Sequence, residues 1–186
     1  MKIGIVIGSI RENRVGADVA HWLLNYIENK NIKDTTFEIV DLKNYPLPLL
    51  GVKTNEEDEK VINKWKSKMQ QFDGYIFITP EYNRVIPGAF KNALDYLQIE
   101  LNNKAAGYVG YGGLGSLSAI QSLRLINAEQ SLAGVRTMVT FSLMSDFENM
   151  KIFNYSVGAI QPYEYKYYID FAKKIKGKEL KYIIIA

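Results

Sequence analysis

Short apolar runs that alternate with stretches of helical period constrain the fold of this chain more than any other feature. Residues 3–7, all apolar or glycine, read as a strand buried on both faces, the kind found inside a parallel sheet. Residues 37–42, 75–79, 104–109 and 135–139 read as four more strands. Between them lie helical stripes. Ala20, Leu23, Leu24 and Ile27 form the first, and Ile62, Trp65, Met69 and Phe72 the second. Phe90, Ala93, Leu94 and Leu97 form a third, a helix over 116–132 is the fourth, and Tyr168, Phe171, Ala172 and Ile175 mark a last one. Strand and helix thus alternate five times. That pattern gives an α/β fold with a parallel sheet covered on both faces, and five strands point to the order 2-1-3-4-5. No composition break or proline-rich linker divides residues 1–186, which read as one domain.

Ligands of such sheets lie beyond the carboxyl ends of the strands, and three unusual loops fall there. The first follows Ile7 and runs Gly8-Ser9-Ile10-Arg11-Glu12-Asn13-Arg14, opening a helix near Gly16. A strand that turns into a helix collects free backbone N–H groups and the positive end of the helix dipole. Ser9 adds a hydroxyl, and Arg11 and Arg14 add guanidinium groups, so the loop suits an anion, a phosphate above all. The second loop runs from Pro80 through Glu81, Tyr82 and Asn83 to Pro87, which is placed to start the next helix. Tyr82 offers a ring face and Asn83 an amide for a heterocycle's edge. The third spans 110–116 and carries Gly110, Gly112, Gly113 and Gly115, where backbone N–H groups can approach a flat ligand.

Motif spacing removes the usual owners of a phosphate loop. The second and third glycines of a dinucleotide-binding turn are missing after Gly8, and so is the Gly-Lys-Ser/Thr of a Walker loop. A monophosphate at the first loop and a hydrogen-bonding aromatic ring at the other two describe FMN. The bulk numbers exclude other chemistry. There is no cysteine and a single histidine, His21, in the first helix, so thiolate chemistry, a His-based triad and a multi-histidine metal site are all disfavoured. The net charge of +3 is spread over scattered lysines, which argues against a nucleic-acid partner. Neither a membrane span nor a secretory signal is evident, and a cytoplasmic protein is expected.

The motif Gly8-Ser9-x-Arg11-x-x-Arg14, the run Pro80-Glu81-Tyr82-Asn83 followed by Ile86-Pro87-Gly88-Ala89-x-Lys91-Asn92-Ala93-Leu94-Asp95, and Gly110-Tyr111-Gly112-Gly113-x-Gly115 resemble the NADPH-dependent FMN reductase-like family. The resemblance spans residues 1 to about 140 and implies a flavodoxin-like three-layer α/β/α sandwich. It implies that Ser9, Arg11, Arg14 and Val15 hold the FMN phosphate. Pro80, Glu81, Tyr82 and Asn83 would then line the isoalloxazine, with Gly112, Gly113 and Gly115 approaching its other side. No side chain is implied as catalytic. Glu81 is expected to order its loop by accepting backbone N–H bonds rather than to move protons. NADPH or NADH would reduce the flavin, and a small-molecule acceptor such as a quinone, azo compound or chromate would reoxidise it by ping-pong hydride transfer. A flavin reductase that releases reduced FMN, a flavodoxin-like electron carrier and a flavin-sensing regulatory partner remain alternatives. The family also implies a homodimer or homotetramer, with the apolar loop 46–50 as a candidate subunit wall. The connection 142–162 and the Ile-rich ending 181–186 have no assigned place.

Overall fold

The computed structural model describes residues 1–30, 32–148 and 151–152. Its centre is a parallel sheet. Strands β1 (Lys2–Ile7), β2 (Thr36–Asp41), β3 (Gly74–Pro80) and β4 (Ala105–Gly112) stand in the order β2-β1-β3-β4. Two short segments, β5 (Ala133–Gly134) and β6 (Val139–Ser142), both pair with the outer edge of β4. The expected order 2-1-3-4-5 is present, with a sixth strand added. Helices α1 (Gly16–Glu28), α2 (Glu56–Gln70), α3 (Gly88–Asp95) and α4 (Leu117–Glu129) connect them.

Alternation along the strands sorts the core into two layers. Val6, Phe77 and Tyr108 face one side, where Trp65 and Met69 of α2, Phe90 and Leu94 of α3 and Leu123 of α4 pack on them. Ile5, Ile7, Ile78, Val109 and Tyr111 face the other and meet Val19, Leu23 and Ile27 of α1. Polar groups in these layers are met individually. Trp65 Nε1 donates to the Ala93 carbonyl at 2.8 Å, and the Tyr75 hydroxyl to that of Met69 at 2.7 Å. Helix α2 opens with a capping box: Asn55 accepts from Glu57 N and Asp58 N, and Asp58 Oδ2 accepts in turn from Asn55 N.

Two expectations about strands need correction. The fourth strand does not stop at Val109 but continues through Gly110, Tyr111 and Gly112, paired with β3 on one side and β6 on the other. Glycine allows this. A Cβ at 110 would stand 2.5 Å from the Gly115 carbonyl oxygen, so this backbone approach tolerates no side chain. The fifth strand, expected over 135–139, is broken in two. Between the pairs Ala106↔Gly134 and Val109↔Val139 the edge advances five residues while β4 advances three, leaving two extra residues as a bulge. Tyr108 sits at the break. Its hydroxyl accepts from Asn127 Nδ2 at 3.0 Å, Arg124 lies 4.4 Å from its ring centre, and a Cβ at Gly134 would lie 2.3 Å from its oxygen. Within 142–162, β7 (Phe147–Glu148) pairs antiparallel with β8 (Lys151–Ile152). The helix expected around 168–175 and the ending 181–186 lie outside the described residues.

Candidate functional site

The strand order reverses direction at β1, so the loops after β1 and β3 emerge side by side, with the end of β4 next to them. Register fixes the edge. Ile7 pairs with both Asp41 and Ile78, Pro80 pairs with Tyr111, and Gly112 with Ser142.

The first loop leaves β1 at Gly8, whose N–H donates to Ile78 O at 2.9 Å. A Cβ there would meet the Phe90 ring at 2.4 Å, so glycine is required for the close approach. Ser9 is buried, and its hydroxyl shares a 3.2 Å hydrogen bond with that of Tyr82. Arg11 is exposed and lies 5.7 Å from the centre of the Tyr82 ring. The first and second loops are thereby joined. Val15 is buried and stands at the N-cap of α1 without a side-chain cap, so the first-turn N–H groups have no partner from their own cap.

Arg14 carries the decisive geometry. Its side chain is only 9% exposed, and one terminal nitrogen, Nη2, is paired with Asp41 Oδ2 at the end of β2. Nε and Nη1 are buried with no partner. Burying guanidinium N–H groups unsatisfied costs free energy that a bound acceptor recovers.

The second loop is a tight reversal. Tyr82 N donates to Val85 O at 2.9 Å and Val85 N to Tyr82 O at 3.2 Å, while Asn83 and Arg84 between them hold φ of 51° and 72°. Two left-handed central residues make a primed turn, which Asn tolerates better than Arg does. Pro80 is buried as the last residue of β3. Glu81 points across to α4: its Oε2 accepts from Ser118 N at 3.1 Å and Ala119 N at 3.2 Å. Helix α4 needs this, because its own N-cap Ser116 is left-handed and its hydroxyl donates to the Tyr111 carbonyl instead.

The glycines of the third loop divide by task. Gly112 is the last residue of β4. Gly113 is exposed, with nothing within 4 Å of a built Cβ, so its backbone faces open space. Gly115 is buried at φ +69°, and a Cβ there would lie 2.8 Å from Thr140, so it serves the turn and its packing. Sequence reasoning missed Asp41 and Tyr111. Asp41 closes the second strand at the ligand edge, the one signal that could have found it. Tyr111 is buried with a hydroxyl that has no hydrogen-bond partner.

Beside the first loop, Ile10, Lys43, Tyr45, Leu47, Leu49 and Ala89 line a cavity of ≈ 370 Å³. A larger cleft of ≈ 650 Å³, bordered by Asp95, Gln98, Leu125 and Gln130, lies where α3 and α4 end, at the opposite edge of the sheet. The apolar wall of the smaller cavity is pinned by Asn92, which donates to Pro48 O at 2.8 Å and accepts from Leu50 N at 2.9 Å. Asn92→Ala is expected to cost about 1 kcal/mol of stability and to hasten proteolytic cleavage within 46–50. Cleavage at the wild-type rate would show that the loop holds itself.

Residues 1–147 match the sequence profile of the family described as NADPH-dependent FMN reductase. The chain belongs to that family. An NAD(P)H-dependent FMN reductase of Schizosaccharomyces pombe is 31% identical over 153 residues, 78% of this chain and 74% of the relative. A 2-hydroxy-1,4-benzoquinone reductase of a Burkholderia species is 34% identical over 96 residues, 52% of this chain and 49% of the relative. The fold is shared with the flavoenzyme NAD(P)H:(acceptor) oxidoreductase of Paracoccus denitrificans, with a TM-score of 0.62, 19% identity and coverage of 94% of each chain. As a member of the NADPH-dependent FMN reductase family, the chain is an oxidoreductase that uses FMN and NAD(P)H. The geometry fits that cofactor: buried unpaired guanidinium nitrogens at an uncapped helix N-terminus suit its phosphate, and the open backbone at Gly113 leaves room for its ring.

Proposed function

We propose that this protein is an FMN-dependent NAD(P)H oxidoreductase that delivers two electrons to quinones or similar small acceptors, azo compounds and chromate among them. The observation that carries the reading is Arg14, held against Asp41 with two nitrogens buried and unsatisfied beside the N-terminus of α1. Arg14, Arg11, Ser9 and the backbone from Val15 hold the phosphate. Pro80, Tyr82 and Asn83 flank one side of the ring and Gly112 and Gly113 the other, while Glu81 and Gly115 keep those two loops in place. FMN held there would supply the hydride chemistry. The chain's own part is to bind, orient and shield, with no side chain required as acid or base. One site serving NAD(P)H and acceptor in turn gives ping-pong kinetics.

Exposed Leu49 and Leu50, at 69% and 54%, stand at the same edge and support a homodimer or homotetramer in which loop 46–50 walls the site. No described helix is long and apolar enough to cross a membrane, and a cytoplasmic setting fits the proposal.

The test is direct. Purified protein should carry flavin absorbance and oxidise NAD(P)H faster when a quinone is added, with parallel double-reciprocal lines. A colourless protein that reduces added FMN would instead be a flavin reductase releasing its product. No flavin binding and no NAD(P)H oxidation would end the proposal.

A further inference from the structure

Tyr111 is built into the wrong place for an ordinary core tyrosine. It lies on β4 between Pro80 of β3 and Phe141 of β6, and its side chain runs under the edge toward α1. The residue is 4% exposed, yet its hydroxyl meets no donor or acceptor. That oxygen rests against the first residue of α1: a Cβ at Gly16 would come within 2.7 Å of it. Glycine at 16 therefore leaves the gap that the hydroxyl occupies. Burial pushes the pKa of the phenol up, so it stays protonated and able to donate; Ser9 and the charges of Arg14 and Arg11 oppose the shift, and Tyr82 adds to it. Ser9 lies close, but its Oγ bonds Tyr82 and is not in hydrogen-bond geometry with Tyr111.

The groups gathered here are of one kind. Arg14 Nε and Nη1 are unsatisfied and can only donate, the Tyr111 hydroxyl is unsatisfied and has a proton to give, and the first-turn amides of α1, which no side chain caps, can only donate. A water accepts at most two of these bonds and brings no charge. A group with several acceptor oxygens and negative charge satisfies all of them together. We propose that the Tyr111 hydroxyl is a direct ligand of the cofactor's phosphate, completing from β4 the cradle that Arg14 and the N-terminus of α1 begin. This rests on the reading of the first loop as the phosphate site. It assigns to β4 a role at the phosphate end, in addition to the glycines at the ring end.

Tyr111→Phe removes one oxygen and keeps the ring in the core layer it shares with Ile7 and Phe141. FMN and riboflavin affinities, measured by quenching of flavin fluorescence, should separate. FMN should bind about tenfold more weakly, as for loss of one hydrogen bond to a charged group, while riboflavin is unchanged. The flavin-free variant should unfold at the same or a higher temperature than wild type, because an unsatisfied buried hydroxyl has been removed. A purely structural tyrosine would do the reverse, lowering the melting temperature and weakening both flavins alike; that result overturns the inference. So does a variant that still prefers FMN over riboflavin as strongly as wild type. If wild type itself holds riboflavin as tightly as FMN, the phosphate reading of the first loop fails, and this inference fails with it.

Discussion

Replacing Arg11 and Arg14 together by alanine is expected to weaken FMN binding by several kcal/mol, on the order of 1.5–3 for each hydrogen bond to a charged group, and to leave riboflavin binding nearly unchanged. The two arginines do not contribute equally. Arg14 is 9% exposed and fixed by Asp41, so its free nitrogens are pre-organised and little screened. Arg11 is exposed and lies over Tyr82, where salt screens it and side-chain entropy offsets its attraction. Arg14→Ala alone should account for most of the loss at any ionic strength, while Arg11→Ala should matter mainly at low salt. Arg14→Lys should not rescue, since one ammonium cannot reach Asp41 and the phosphate in the fork geometry of a guanidinium. Arg14→Ala also leaves Asp41 without its partner. The stability cost stays below the roughly 3–5 kcal/mol of a fully buried pair, because Asp41 keeps 22% of its side chain exposed. Titration with FMN and riboflavin at two salt concentrations reads all of this. A double variant with wild-type FMN affinity would remove the phosphate from this loop.

Period and punctuation made the sheet legible. A run of apolar residues ending at Gly8, or at Pro80, says where a strand stops and its loop begins, and the strand ends themselves place the loops on one edge. What the pattern could not carry was contact between distant residues. Asp41 meets Arg14 across 27 positions, and Tyr111 reaches α1 from a strand two places away in the sheet. Beyond Asp41's place at the end of a strand, nothing in either residue's neighbours in sequence announces this. The errors at β4 and β5 have the same origin. Glycines 110 and 112 look like loop residues by composition, but here they are strand residues; the missing side chain lets the Gly115 carbonyl close in on 110 and Ser116 on 112. The break in the edge strand follows from the bulk of Tyr108 on the neighbouring strand, a property of packing rather than of residues 135–139 themselves.

Glu81 separates two ways in which a carboxylate can matter at a redox site. It is 16% exposed, and one of its oxygens accepts from two amides in the first turn of α4, a helix whose own N-cap side chain is turned elsewhere. An anion at that position opposes the helix dipole and satisfies two otherwise unpaired donors. Glu81→Ala should therefore cost about 1–2 kcal/mol of stability, as loss of a charged cap does. It should also release the loop after β3 from α4, so that FMN and riboflavin both bind more weakly; the phosphate variants spare riboflavin, and this one should not. Glu81→Gln keeps a carbonyl oxygen for the same amides and loses only the charge, so it should recover most of the stability and flavin affinity. Turnover makes the distinction sharp. A group that moves protons in the transition state contributes about 10²–10⁴-fold in rate, and glutamine cannot do its work. With flavin saturating, Glu81→Gln should keep kcat within a few-fold of wild type and leave the pH profile in place. If instead kcat collapsed while melting temperature and flavin affinity held, Glu81 would be an acid–base catalyst, and its bonds to α4 would be what positions it for that role.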